Sequence, residues 1–298
     1  MEIDSSEFLA SPPPPNSQSA IRNRNLRLVL QYEGTHFHGW QIQRRLDTIQ
    51  GVLTTILRKI TFEEIHVHGC GRTDAGTHAL AQVCNFETAC TIPPANFLKA
   101  INTLLPPAIR VVGIDEVPMS FHSRRDARWK HYRYRIVKGR WCSPFDYPYA
   151  HHFRRAVDFA AMCEAARRVL GEHDFTSFCD AASEVESKVR RVMASFFVFD
   201  TQRQLMEYNV CADGFLHHMV RNLVGTFLEI GKGNWQAADI DRILEARNRS
   251  AAGPTVPAKG LFLVEVGYET NFPGPAGGGT PRIDPLLDEG APEARINL

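Results

Sequence analysis

Apolar and polar positions alternate from Leu26 to Tyr32. Leu26, Leu28, Leu30 and Tyr32 fall on one face and Arg27, Val29 and Gln31 on the other, which is the period of a strand. A polar, glycine-containing loop with Phe37 and Trp40 follows, and then the spacing changes. Ile49, Val52, Leu53, Ile56, Leu57 and Ile60 share one helical face, with Asp47 or Thr48 as N-cap. Alternation returns over 65–68 and 81–88 and predicts two strands. Pro93 and Pro94 open a helix bearing Phe97, Leu98, Ile101, Leu104 and Leu105, and 109–117 is a strand. This half reads β-α-β-β-α-β. The second half repeats the pattern: a strand over 129–137 with Tyr132, Tyr134 and Ile136 on one face, and a helix over 153–170. A hairpin of 192–199 and 205–211 turns around Thr201–Gln204. Helices over 215–230 and 237–246 and a strand over 261–268 complete the half.

Two such patterns in succession predict an α+β fold of two ferredoxin-like, RRM-like units side by side, forming one extended mixed sheet. Units of this kind carry their helices on one face and leave the other free. Their seam makes a central cleft suited to RNA, since RNA-recognition modules carry bases on a similar open sheet. The expected boundaries are a disordered arm over 1–24, a first unit over 25–118, a second over 119–271 and a flexible Pro/Gly-rich tail over 272–298.

A chain of 298 residues, 44% hydrophobic, has material for a core of this size. Net charge is only +1, so a nucleic-acid reading has to rest on local charge. The seven cysteines are scattered and contain no CxxC pair, which points to a reducing, cytoplasmic setting and away from a disulfide framework or a structural zinc site. No apolar run has the length of a membrane span. Local charge is informative: 121–155 holds ten basic residues against Asp126 and Asp146, interleaved with Phe121, Trp129, Tyr132, Tyr134, Trp141, Phe145, Tyr147 and Tyr149. Cations hold phosphates and rings stack on unpaired bases, at roughly 1–3 kcal/mol per base. A solvated strand face over core aromatics has the same composition.

The stretch with the densest candidate chemistry is Gly69-Cys70-Gly71-Arg72-Thr73-Asp74-Ala75-Gly76-Thr77-His78. Glycines let another molecule approach the backbone, and an Arg and an Asp held between them suit catalysis. On local physics a turn or a helix cap explains Asp74 as well. The loop lacks the Gly-Lys-Ser/Thr ending of a nucleotide-triphosphate loop. Arg221 lies in an otherwise apolar helical run and needs a carboxylate or phosphate partner there. His217 and His218 are sequence neighbours, so on a helix they point to different faces and make a poor metal pair.

Gly71-Arg72-Thr73-Asp74-Ala75-Gly76-Thr77-His78-Ala79 resembles the signature of the TruA family of tRNA pseudouridine synthases. The resemblance continues through Tyr32-Glu33-Gly34, Gly39-Trp40-Gln41, Phe121-His122-Ser123-Arg124, Tyr132-Arg133-Tyr134, Gly171–Phe178, Phe215–Asn222 and Gly260–Val264, in the family's order. It implies isomerisation of uridine to pseudouridine in the tRNA anticodon arm, at tRNA positions 38–40, with no metal or organic cofactor. It also implies a homodimer, with tRNA as the partner. Asp74 matches the catalytic aspartate, which acts on a flipped nucleotide to break the N1–C1′ bond before the base rotates and rejoins through C5. Tyr132 matches the tyrosine that stacks on the uracil and assists proton removal from C5, Arg221 an arginine paired with the aspartate, and Arg72 a residue linked to base flipping. Phe121, His122, Ser123, Arg124, Arg125 and Lys130 match RNA-contacting positions, and Leu261 a supporting one. Two features depart from the usual pattern: Thr77 stands where the family often has Val or another apolar residue, and 181–187 is acidic where many relatives are polar or basic.

Two other classes of function compete with this reading. A catalytically silent tRNA-binding protein of the same fold would not need Asp74, Tyr132, Arg72 and Arg221 together. An aspartyl-nucleophile hydrolase would need further acidic residues to hold Mg²⁺.

Overall fold

The computed structural model describes residues 23–270. The arm expected over 1–24 lies outside the described residues apart from Asn23 and Arg24, and the tail over 272–298 lies outside them altogether. Strand β1 (Arg24–Tyr32) leads to helix α1 (Ile49–Thr61), whose N-cap Thr48 accepts from the Gly51 amide; Phe62 closes it in the left-handed region. The strand expected over 65–68 shrinks to β2 (His68–Gly69), because residues 65–67 have no strand partner. β3 (His78–Thr88) starts three residues earlier than its alternation suggested, and α2 (Pro94–Leu104) and β4 (Ile109–Val117) follow.

In the second half β5 (Trp129–Lys138) is followed by a short β6 (His151–Phe153). The helix expected from 153 therefore begins only at α3 (Phe159–Arg168), where the Asp158 side chain accepts from the Ala161 amide. β7 (Gly171–Asp174) had no pattern to announce it. β8 (Val189–Asp200) and β9 (Leu205–Ala212) form the expected hairpin. Helices α4 (Met219–Gly231) and α5 (Asp239–Ala246) precede β10 (Leu261–Gly267).

The fold is α+β, with all ten strands of the described residues in one mixed sheet. Its main path runs β4-β1-β3-β10-β5-β9-β8-β7, with β2 on β3 and β6 on β5. Neighbours are antiparallel except β10 with β3 and β5 with β6. The last strand thus joins the two halves. It pairs Phe262 with His78 on one side, and Leu261 with Tyr134 and Leu263 with Tyr132 on the other. One apolar core spans both halves: Leu26, Leu28 and Leu30 belong to the same cluster as Leu53 and Leu57 of α1, Tyr134 and Ile136 of β5, and Leu223 and Phe227 of α4. The sheet is therefore continuous beneath the point where the Gly69–His78 loop meets β5 and α4.

Candidate active site and RNA interface

The loop carrying Asp74 is fixed along its length. The Cys70 amide donates to Val83 O at 2.8 Å, the Gln82 side chain donates to Gly71 O at 2.9 Å, and the Trp40 amide donates to Thr73 O at 3.1 Å. Thr73 Oγ1 lies 2.8 Å from the buried Tyr32 hydroxyl, and Asp74 O accepts from the Thr77 amide at 3.1 Å. Gly69 lies under the Trp40 indole so closely that a Cβ would sit 2.4 Å from the ring nitrogen. His78 ends the loop. Its Nδ1 accepts from the Gly34 amide at 3.0 Å and its Nε2 meets Lys259 O at 3.2 Å, so the single ring proton is on Nε2. Burial lowers its pKa, which keeps the ring neutral.

Asp74 is paired across the seam. Its Oδ2 accepts from Arg221 Nη1 at 2.7 Å, and the two side chains are only 17% and 15% exposed. Arg221 Nε donates to Val256 O at 2.8 Å. The next residue, Asn222, holds the same segment: its Oδ1 accepts from Thr255 Oγ1 and Arg249, and its Nδ2 donates to Phe178 O. The partner that an arginine in an apolar helix requires is thus Asp74. Arg72 does not provide it: its exposed side chain donates to Gln41 Oε1 at 3.1 Å and forms no ion pair among the described residues.

Around this pair is a cavity of about 1000 Å³ lined by Arg72, Asp74, Arg124, Lys130, Tyr132, Arg221 and Leu261, among others. Tyr132 is buried, with its ring edge-on to Phe215 at 4.8 Å between centroids. Desolvation pushes its phenol well above the ordinary tyrosine value, so it presents a ring and an intact hydroxyl. The 121–125 segment divides into an inner and an outer part. Phe121 packs on Tyr268 (5.1 Å between centroids), and His122 packs on His68 while its Nδ1 accepts from the Arg124 amide. Ser123, expected among the RNA contacts, is fully buried. It donates to His68 O at 2.5 Å and its amide donates to Asn85 Oδ1, so it anchors the segment from inside. Arg124 and Arg125 are exposed, and Arg124 lines the cavity.

His217 and His218 do not sit as helical neighbours, because α4 begins only at Met219 and His218 has φ 63°. The two rings lie against each other, centroids 3.8 Å apart and planes tilted by 32°, and both face Asp74 and Asp180. Asp74, His217 and His218 offer three ligand atoms within 4.8 Å of one another, the one such cluster among the described residues. The Arg221 guanidinium on the same carboxylate opposes a cation there. Nothing in the residue pattern pointed to Asp180, and helical spacing put the two histidines on different faces; a turn that breaks that spacing just before α4 brings all three together.

A family model described as tRNA pseudouridine synthase matches residues 28–125 and 165–269. Among curated relatives, a tRNA pseudouridine synthase A from Solibacter usitatus is 48% identical over 248 residues, covering 82% of this chain and 100% of the relative. Proteins of the same name from Brevibacillus brevis and Clostridium acetobutylicum are 43% and 40% identical, with the same coverage of both chains.

Proposed function

The chain belongs to the tRNA pseudouridine synthase family, and we propose that it isomerises uridine to pseudouridine at positions 38–40 of the tRNA anticodon arm, with Asp74 as the catalytic group. The observation that carries this reading is the Asp74–Arg221 pair at the seam of the two halves, inside a cavity large enough for a nucleotide and faced by Tyr132. Arg221 holds Oδ2, which leaves Oδ1 for the substrate. A uridine reaches such a site only when it is flipped out of its stack, at a cost of about a few kcal/mol. Arg72, exposed at the rim, is suited to occupy the space the base vacates. Arg124, Arg125 and Lys130 supply positive charge beside the cavity for the phosphates.

In the reaction Asp74 acts at the nucleoside to break the N1–C1′ bond. The uracil turns within the cavity against the face of Tyr132 and rejoins C1′ through C5. Leu261, buried where β10 begins, supports the floor.

The strand orders support the two-unit architecture. β4-β1-β3-β2 in one half and β10-β5-β9-β8 in the other match the order expected of a ferredoxin-like unit with antiparallel neighbours, which favours the expected units over 25–118 and 119–271. A homodimer engaging tRNA in the cytoplasm completes the reading. No helix among the described residues is long and apolar enough to cross a membrane.

Unmodified tRNA incubated with the protein and mapped for pseudouridine tests the reading. Modification confined to positions 38–40 is the expected result; modification only elsewhere, or none, contradicts it. Sedimentation in the same buffer tests the dimer, which a monomer mass would remove.

A further inference from the structure

Joining C5 to C1′ leaves a hydrogen on C5 that must depart as a proton before the ring regains its C5=C6 bond. A base is needed within reach of the turned uracil. Tyr132 is poorly suited to the task, because burial keeps its phenol protonated. Asp74 has one oxygen committed to Arg221 and acts at the sugar.

His218 has the missing properties. Its side chain is 23% exposed, at the mouth of α4. Nδ1 lies 2.9 Å from Asp180 Oδ2, within hydrogen-bond distance, while Nε2 lies 3.6 Å from Asp74 Oδ2, beyond it. The Ala182 amide and the two histidines lower the Asp180 pKa, so Asp180 accepts and the His218 proton sits on Nδ1. Nε2 is then the unprotonated nitrogen, on a ring that lines the cavity beside Asp74. An orienting carboxylate behind an imidazole whose free nitrogen faces the reacting atoms is the arrangement of a general base. His217 is less suited: it is 52% exposed and its Nδ1 is 3.7 Å from Asp180.

We propose that His218, oriented by Asp180, is the base that removes the C5 proton in the isomerisation; the proposal rests on the synthase reading above. The Nε2 lone pair takes the proton from C5. The C–H electron pair forms C5=C6, the C6=N1 pair passes to N1, and N1 takes a proton from water. The imidazolium, lying between the Asp180 and Asp74 carboxylates, returns its proton to solvent, so atoms and charge balance over the cycle. The groups facing His218 are Asp74, Asp180, His217 and Arg221. Desolvation is the largest influence and lowers its pKa, which favours the neutral, proton-accepting ring at pH 7.

The test follows tritium release from tRNA labelled at uridine C5, and the rate difference between C5-protium and C5-deuterium tRNA, for wild type, His218→Gln and Asp180→Asn. The expected result for His218→Gln is a fall in kcat of about 100-fold, with KM little changed. A C5 isotope effect should emerge as proton removal becomes rate-limiting, and added imidazole should restore part of the rate. Asp180→Asn, at the half-buried root of its loop, removes the anion that stabilises the imidazolium. The acid limb of its kcat/KM profile should therefore move to lower pH. A His218→Gln enzyme with near wild-type kcat, or with reduced kcat but no C5 isotope effect and no imidazole rescue, overturns the proposal while leaving the synthase reading intact. An unmoved acid limb in Asp180→Asn overturns the orienting role. Failure of wild type itself to release tritium removes both the synthase reading and the proposal.

Discussion

Two walls of the same cavity are built by opposite means. The 69–78 wall is held by long-range hydrogen bonds to β3, to the Tyr32 hydroxyl and to the Trp40 backbone, and it packs against an indole with no room for a Cβ at Gly69. The wall of Ala182, Ser183, Glu184 and Val185 is held mostly by local turns: the Ala182 amide to Asp180 Oδ1, the Ser183 amide to Asp180 O, and Arg190 to Ser187 O. Among the described residues its tie to the far side is the Asp180 region, through the Asp180 amide to His217 O and its carboxylate to the histidines. Glu184 and Glu186 form no ion pair among the described residues. The difference separates two duties. On the proposed mechanism the wall that carries Asp74 has to be in place before substrate arrives, because misplacement by even an ångström is costly. A wall with few buried contacts opens locally at little cost and is suited to admit a large substrate.

The sharpest way to break this contrast is Arg221→Ala. It leaves the mostly buried Asp74 carboxylate without its cation, so kcat should fall at least 100-fold and stability by about 2–4 kcal/mol, read by single-turnover assay and urea unfolding. Intact activity would show that Asp74 does not need its partner. Gly69→Ala forces a methyl group against Trp40 and should cost about 1–3 kcal/mol, whereas Ala182→Ser on the other wall should stay within about 0.5 kcal/mol. Equal costs would erase the difference between the walls. The double variant Glu184→Gln, Glu186→Gln removes two negative charges beside the basic side of the cavity. Affinity for tRNA should rise several-fold at low salt, with kcat unchanged and a steeper salt dependence; no change would mean that RNA does not pass this loop. The smallest effect is expected at Thr77, whose buried Oγ1 has no hydrogen-bond partner among the described residues. Thr77→Val keeps the shape and removes that polar atom. Stability should be unchanged or higher by about 1 kcal/mol in thermal unfolding.

Much of this was legible in the residue pattern, for reasons that also mark its limits. An arginine among Leu223, Val224 and Phe227 cannot be buried alone, so the demand for a partner was visible before Asp74 was known to meet it. Strand and helix periods located β1, β4, β5 and the β8–β9 hairpin closely, because each has one face in the core. The helix expected from 153 was too long because apolar Phe153 serves β6, while Asp158 sets the true start. β7 is only Gly171–Asp174, too short for alternation to register. The histidine pair was misjudged because helical spacing was assumed one turn too early, and the left-handed His218 turns both rings to the same carboxylates. Ser123 lies in a basic stretch, and composition alone could not separate its inward hydroxyl from the outward Arg124 and Arg125.

The most direct measurement is tritium release from unmodified tRNA labelled at uridine C5, with a chelator present, by wild type and by Asp74→Asn, alongside tRNA binding by both. The account predicts release by wild type and none by Asp74→Asn, with affinity kept within several-fold. Release by Asp74→Asn at a rate near wild type would contradict it.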